Sequence, residues 1–204
     1  MGAIKKSFKI ILVSNKEESR IAARQVRKLL HSSKSNKDYF NDIKSVIDGA
    51  FGEYYKIIED WRQENFVMAL SVIYFLHDKE DCPDFLFPWL FQLLQHPNGY
   101  IRYAAVKMIS TELGPLTVHI RFPGDKMFSK EKLTSKKADE ILFFLFVNLH
   151  NLSVVLWLPK YRKYKYIDSL PASPYKSVQM VLAEMEDVCG WEYLNDFTRF
   201  ISKK

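Results

Sequence analysis

Apolar residues recur three and four positions apart along almost the whole chain, the spacing of an α-helix. Residues 101–113 carry it most clearly: Ile101, Ala104, Ala105, Met108, Ile109 and Leu113 fall on one helical face. The same spacing predicts a long helix from about 37 to 61, with Gly49 and Gly52 as its weak points, and a second run over 63–77. Only 7 Gly and 8 Pro punctuate 204 residues, which suits long helices better than a turn-rich sandwich.

Boundary signals divide this pattern into elements. "SNKE" at 14–17 reads as a capping box with Ser14 as the cap, although "FKIILV" before it also fits a strand. Asp84 is placed to cap a helix through Gln95, with Pro88 in its first turn. Gly114 and Pro115 stop the helix that starts at 98. Residues 114–135 then lack a helical period, and "TVHIRF" alternates as a short extended piece, so they form an irregular insertion. Thr134 or Ser135 caps a long apolar helix to about Leu158, residues 159–173 form a basic, aromatic loop, and Ser173–Pro174 opens a further helix that Gly190 ends. Eight or nine helices in one domain over 1–204 are expected, joined mostly by short turns that make neighbours antiparallel.

Segment 141–158, "ILFFLFVNLHNLSVVLWL", is near the lower length limit for a membrane span. Asn148, His150, Asn151 and Ser153 sit near its middle, where lipid would penalise them, so the expectation is a buried central helix and no transmembrane segment.

Within 101–113 the alanines at 104 and 105 allow another helix to approach closely. Arg102 lies off that face, one residue past the turn, where it can reach loop carbonyls or a carboxylate and hold the unit together. Residues 65–73 align with 100–108 at an offset of 35, matching Phe66 to Ile101, Ala69 to Ala104, Leu70 to Ala105 and Ile73 to Met108, with Val67 at the place of Arg102.

"LLQHPNGYIRYAAVKMI" resembles a HEAT repeat: an apolar first helix, a short Pro/Asn/Gly turn, then apolar–Arg–x–x–Ala opening the second helix. The resemblance covers about 30 residues, 84–114. It implies an all-α, short α-solenoid of antiparallel HEAT-like helix pairs, whose concave face binds another macromolecule. A second resemblance, of 59–73 to a helix of the HEAT-like alkylpurine DNA glycosylases, implies a basic DNA-binding face. That family's catalytic Asp beside aromatics has no counterpart here, since Trp89 has no carboxylate within four residues downstream, and no catalytic residue is carried over.

Net charge is +6 and unevenly spread. Residues 1–60 carry 12 Lys/Arg against 8 Asp/Glu, 61–115 carry 4 against 6, and 116–204 carry 14 against 10. Two clusters supply candidate contacts for an anionic partner. Arg20, Arg24, Arg27 and Lys28, with His31, form one helical stripe opposite Ala22, Val26 and Leu29. "KYRKYKY" at 160–166 interleaves Lys160, Arg162, Lys163 and Lys165 with Tyr161 and Tyr164, so that cations meet phosphates while rings stack or pack.

Metal and cofactor signals are missing. The histidines are scattered, no CxxC occurs, and no GxGxxG, P-loop or GxSxG is found. Cys82 and Cys189 read as reduced thiols of a cytoplasmic protein. The expected function is a non-enzymatic interaction module for a protein partner, with nucleic-acid binding, including a glycosylase-like enzyme, as the alternative.

Overall fold

The computed structural model describes residues 2–32, 37–124, 133–163 and 171–201. Among them the chain is all-α, with ten α-helices and no strand. The helices are α1 Ala3–Val13, α2 Lys16–Ser32, α3 Lys37–Tyr54, α4 Asp60–Ile73, α5 Phe87–Leu94, α6 Gly99–Leu116, α7 Val118–Arg121, α8 Ser135–Leu156, α9 Pro174–Cys189 and α10 Trp191–Ile201. Short 3₁₀ helices cover Tyr74–Leu76 and Pro159–Lys163. The chain divides into two compact units, Met1–Asp78 and Lys79–Lys204.

In the N-terminal unit α1 packs against α2, α3 and α4, and α4 packs on α2 and α3. Residues 3–13 are helical, not extended: Ile4, Phe8 and Ile11 are buried at i, i+4 and i+7, and Phe8 meets Phe66 edge-on with centroids 5.6 Å apart. Ser14 does not cap α2. Its backbone N–H closes the last turn of α1 on the Ile10 carbonyl at 3.0 Å, so the cap passes to Asn15, whose Oδ1 accepts from the N–H groups of Glu17 and Glu18 at 3.1 and 3.0 Å. The terminal carbonyls of α1 are then met by side chains of the following helices. Arg62 Nη1 donates to the Ile11 and Ser14 oxygens at 2.9 and 3.0 Å, and the Ser19 hydroxyl donates to Ile11 at 3.2 Å. The rest of the Arg62 fork grips Glu59 at 3.1 and 3.2 Å.

The predicted single helix over 37–61 is interrupted. α3 ends at Tyr54, where Lys56 and Ile57 close tight turns on the carbonyls of Glu53 and Tyr54. The turn buries Ile57, at 6% exposure, and leaves Ile58 at 89%. It also returns the chain so that α4 packs against α3.

The C-terminal unit is arranged around α9, which contacts α5, α6, α7, α8 and α10 and buries Val178, Val181 and Met185. α5 begins at Phe87 with Pro88 in its first turn, but Asp84 is not its cap. The Asp84 carboxylate accepts from the Cys82 thiol at 3.5 Å, and its backbone oxygen accepts the Phe87 N–H in a separate turn. α5 and α6 form a helical hairpin across residues 95–98, and Asn98 Oδ1 caps α6 through the Tyr100 N–H at 2.8 Å. All six residues of the predicted α6 face, Ala104 and Ala105 included, are at most 1% exposed.

Gly114 and Pro115 do not stop α6, which continues to Leu116. Proline so near the end forfeits one backbone bond, and other donors reach the late carbonyls: the Thr117 N–H and hydroxyl reach Leu113 at 3.1 and 2.7 Å, and Arg121 Nη2 reaches Gly114 at 2.8 Å. "TVHIRF" is therefore mostly the one-turn α7 and not extended. α8 is not enclosed as a central helix either. One stripe, including Ile141, Leu142, Leu145, Phe146 and Leu149, is buried, while Phe144, Val154 and Val155 face outward. Thr134 caps α8, Ser173 caps α9, and Gly190 ends α9 at φ +81, a conformation that favours glycine.

Arg102 is itself buried, at 5% exposure. Nη1 donates to the carbonyls of His96 and Pro97, both at 2.7 Å, and Nη2 donates to Pro171, 69 positions away, at 2.6 Å. Replacing Arg102 by Leu removes three charge-assisted bonds from a buried site. Urea unfolding of this variant is expected to lose about 3 kcal/mol or more. Arg102→Lys, which keeps the charge but not the fork, is expected to recover only part of that loss.

Candidate functional site

In the N-terminal unit, α2 turns Ala22 and Val26 inward and leaves Arg20, Arg24, Arg27 and Lys28 exposed on its opposite face. Arg20 leans back on Glu17 at 2.8 Å, and that hydrogen bond, with the charges of Arg20 and Arg24, holds the Glu17 carboxyl below the usual carboxylate range. The stripe is thus a solvated cationic face with one cation partnered on its own helix. The side chain of His31 lies outside the described residues.

The C-terminal unit holds an open groove of about 520 Å³ between α8, α9, α10 and the 3₁₀ helix at 159–163. Phe146, His150 and Ser153 come from α8, Tyr175, Lys176 and Gln179 from the first turns of α9, and Trp191 and Leu194 from α10. Gln179 Nε2 donates to Ser153 Oγ at 2.8 Å, bracing one helix wall against the other. Tyr161 stacks on Tyr175 with centroids 4.7 Å apart and planes 5° from parallel, and the Lys160 ammonium lies 5.4 Å from the Tyr161 ring centre.

Two titratable groups in this groove are shifted by partial burial. His150 is largely exposed, but one side of its ring rests on Phe146 at 4.2 Å, and this lost hydration lowers its pKa. The Lys176 side chain is folded into the wall, and burial lowers its pKa too. The groove therefore offers aromatic and aliphatic walls, an ammonium in its side and the carboxylate of Glu186 at its rim. Such a surface orients and holds a ligand. Among the described residues no three of His, Cys, Asp and Glu come together as a metal site.

A second polar cluster ties three helices together. Asp139 of α8 accepts from Tyr193 Oη of α10 and lies 2.7 Å from His119 Nε2 of α7. Burial, then Asp139, pushes the Tyr193 phenol above its ordinary range. The nearby Cys189 thiol is pushed up to about 11 by burial. With the phenol and thiol both held protonated, this cluster joins helices rather than supplying a nucleophile.

The two sequence-predicted basic clusters belong to different units. Tyr161 lines the groove with Lys160 beside its ring, Arg162 and Lys163 are placed by their backbone alone, and Tyr164 and Lys165 lie outside the described residues. Sequence reasoning missed most of the groove, taking His150 as a core residue and passing over Lys176, Gln179 and Trp191. The available signal was the polar interruption at 148–153, which marks where α8 leaves the core as well as arguing against lipid.

Two measurements check these environments. Under iodoacetamide at pH 8 the native protein is expected to be modified at the half-buried Cys82 well before Cys189, with Cys189 reacting at a comparable rate only after unfolding, as read by peptide mass spectrometry. His150 has a depressed pKa in the folded state, so the unfolded chain takes up its proton first and this group's contribution to stability falls as pH drops below about 6.5. NMR titration is expected to place His150 below the ordinary imidazole range in the native protein, and Phe146→Leu to move it back toward that range.

Compared with known protein families, curated proteins and solved structures, the chain matches none of them. The side chains of the groove and of the α2 stripe carry the functional reading by themselves.

Proposed function

We propose that this chain is a non-enzymatic, cytoplasmic interaction module of HEAT-like helix pairs, and that the groove of its C-terminal unit receives a segment of a protein partner. The observation that carries this reading is the groove's composition. A concavity of about 520 Å³ falls within the range of ordinary ligand pockets, with apolar walls for affinity and a few polar groups for orientation. Lys176 in the wall and Lys160 beside Tyr161 favour a segment that carries a large apolar side chain next to a carboxylate.

A displayed library of random peptides panned against the protein tests this. Enriched peptides are expected to share an apolar anchor beside an acidic residue. Ala183→Trp, which fills the groove from α9, is expected to weaken their binding at least tenfold with the helical circular dichroism unchanged. Failure to enrich any peptide, or enriched peptides that bind the filled variant equally well, would refute the reading.

The exposed stripe of Arg20, Arg24, Arg27 and Lys28 favours a second reading, nucleic-acid binding along α2. Four phosphate contacts make affinity fall roughly a hundredfold when salt rises fourfold. Fluorescence anisotropy with a labelled DNA duplex at two salt concentrations measures this directly. Under the second reading binding shows that dependence and is abolished by Arg24→Glu with Arg27→Glu; under the first, the duplex is not bound.

A further inference from the structure

The last turn of α8 and the two residues after it form an apolar ridge separate from the groove. Val154 and Val155 are 77% and 78% exposed, Leu158 is 46% exposed, and Trp157 lies between them and Lys160. Adjacent residues on a helix point about 100° apart, so Val154 and Val155 together make a protruding edge and not the floor of a pocket. The chain carries no Asp or Glu from 141 to 167, while Lys160, Arg162, Lys163 and Lys165 follow the ridge within seven residues of Leu158.

From this juxtaposition of an exposed valine–tryptophan–leucine edge with a run of cations, we propose that the end of α8 docks on an anionic lipid bilayer, with the ridge in the interfacial layer and Lys160 at the headgroups. A bilayer receives a convex apolar edge without needing a matching cavity, whereas a protein interface centres its anchors in pockets. Lysine is depleted at protein interfaces and enriched, with tryptophan, at membrane surfaces. Electrostatic attraction to anionic lipid supplies the second of the two signals that stable attachment requires. α8 is long and apolar enough to span a membrane by length and composition, but its buried stripe already packs against α9, so the helix lies with its end at the surface and does not cross. Val154, Val155, Trp157 and Leu158 do not line the groove, and Lys160 is the residue that both readings use.

Co-sedimentation with vesicles tests it, using phosphatidylcholine alone and phosphatidylcholine with about one third phosphatidylserine, a composition rich enough to set up the surface potential that attracts cations. The full chain is expected to bind the anionic vesicles at least tenfold more tightly than the neutral ones, and to be released as salt is raised. The double variant Val154→Asp, Val155→Asp changes only exposed positions and is expected to lose at least tenfold in binding; Lys160→Glu is expected to lose less. Trp157→Phe is expected to remove the blue shift in tryptophan emission on binding while leaving the sedimented fraction nearly unchanged. Three outcomes overturn the proposal: no binding to anionic vesicles at low salt, binding indifferent to the valine substitutions, or concentration-dependent self-association that the valine substitutions abolish, which would assign the ridge to a second copy of the chain.

Discussion

The guanidinium of Arg102 holds together the part of the molecule that contains the groove. A helical hairpin leaves its turn with carbonyl oxygens that no helix can satisfy, and packing other helices around that turn keeps water from them. Arg102 supplies donors in a fixed planar fork, two aimed at the His96–Pro97 turn and one at Pro171 just before α9. Through this last bond the hairpin of α5 and α6 sets where α9 begins. The Ser177 hydroxyl repeats the tie one turn later, donating to the Leu94 carbonyl at the end of α5 at 2.6 Å. Since Tyr175, Lys176 and Gln179 occupy that first stretch of α9, one side of the groove is positioned by the arginine, although Arg102 itself does not line it.

The N-terminal unit solves the same problem with the same residue type. Arg62, on the first turn of α4, meets the terminal carbonyls of α1 and is fixed by its own carboxylate partner, Glu59. The sequence alignment at an offset of 35 pairs the apolar positions of α4 and α6 correctly, since Phe66, Ala69, Leu70 and Ile73 are all buried as their counterparts are. It nevertheless puts Val67 opposite Arg102 and passes over Arg62. Side-chain reach explains the mismatch. A guanidinium can serve a turn from more than one place along the helix, so the function is preserved although the register is not.

What could be read from the chain divides along the same line. Helix class and the inward faces were legible because burial imposes a period: the α6 face follows it without exception, and on α2 Ala22 and Val26 are buried while Leu29 is half-buried. The caps at Thr134 and Ser173 were legible because each side-chain oxygen stands immediately before an apolar helical period. Breaks were not. Ser14 and Asp84 have suitable side chains, but closing α1 commits the backbone of one, and α5 begins three residues past the other, with Leu86 at the cap position. Gly114 and Pro115 look like a stop, yet Thr117 and Arg121, both later in the chain, serve the carbonyls of Leu113 and Gly114 at the end of α6. The groove was illegible for a related reason: its walls come from helices separated in sequence, and no local pattern states which side chains will face one another.

α8 shows how one apolar helix can serve both a core and a surface. It runs for 22 residues, and beyond Ser153, which Gln179 of α9 holds at 2.8 Å, its outward side stays apolar. A helix meant only for the core would turn polar on that side. This one continues with Val154, Val155, Trp157 and Leu158, and only then becomes cationic. The same continuation carries Ser153 and Tyr161 to the edge of the groove, where Tyr161 stacks on Tyr175. The end of this helix thus presents two surfaces: a concave one suited to receive a side chain, and an exposed one whose valines have no use in the packing of the unit.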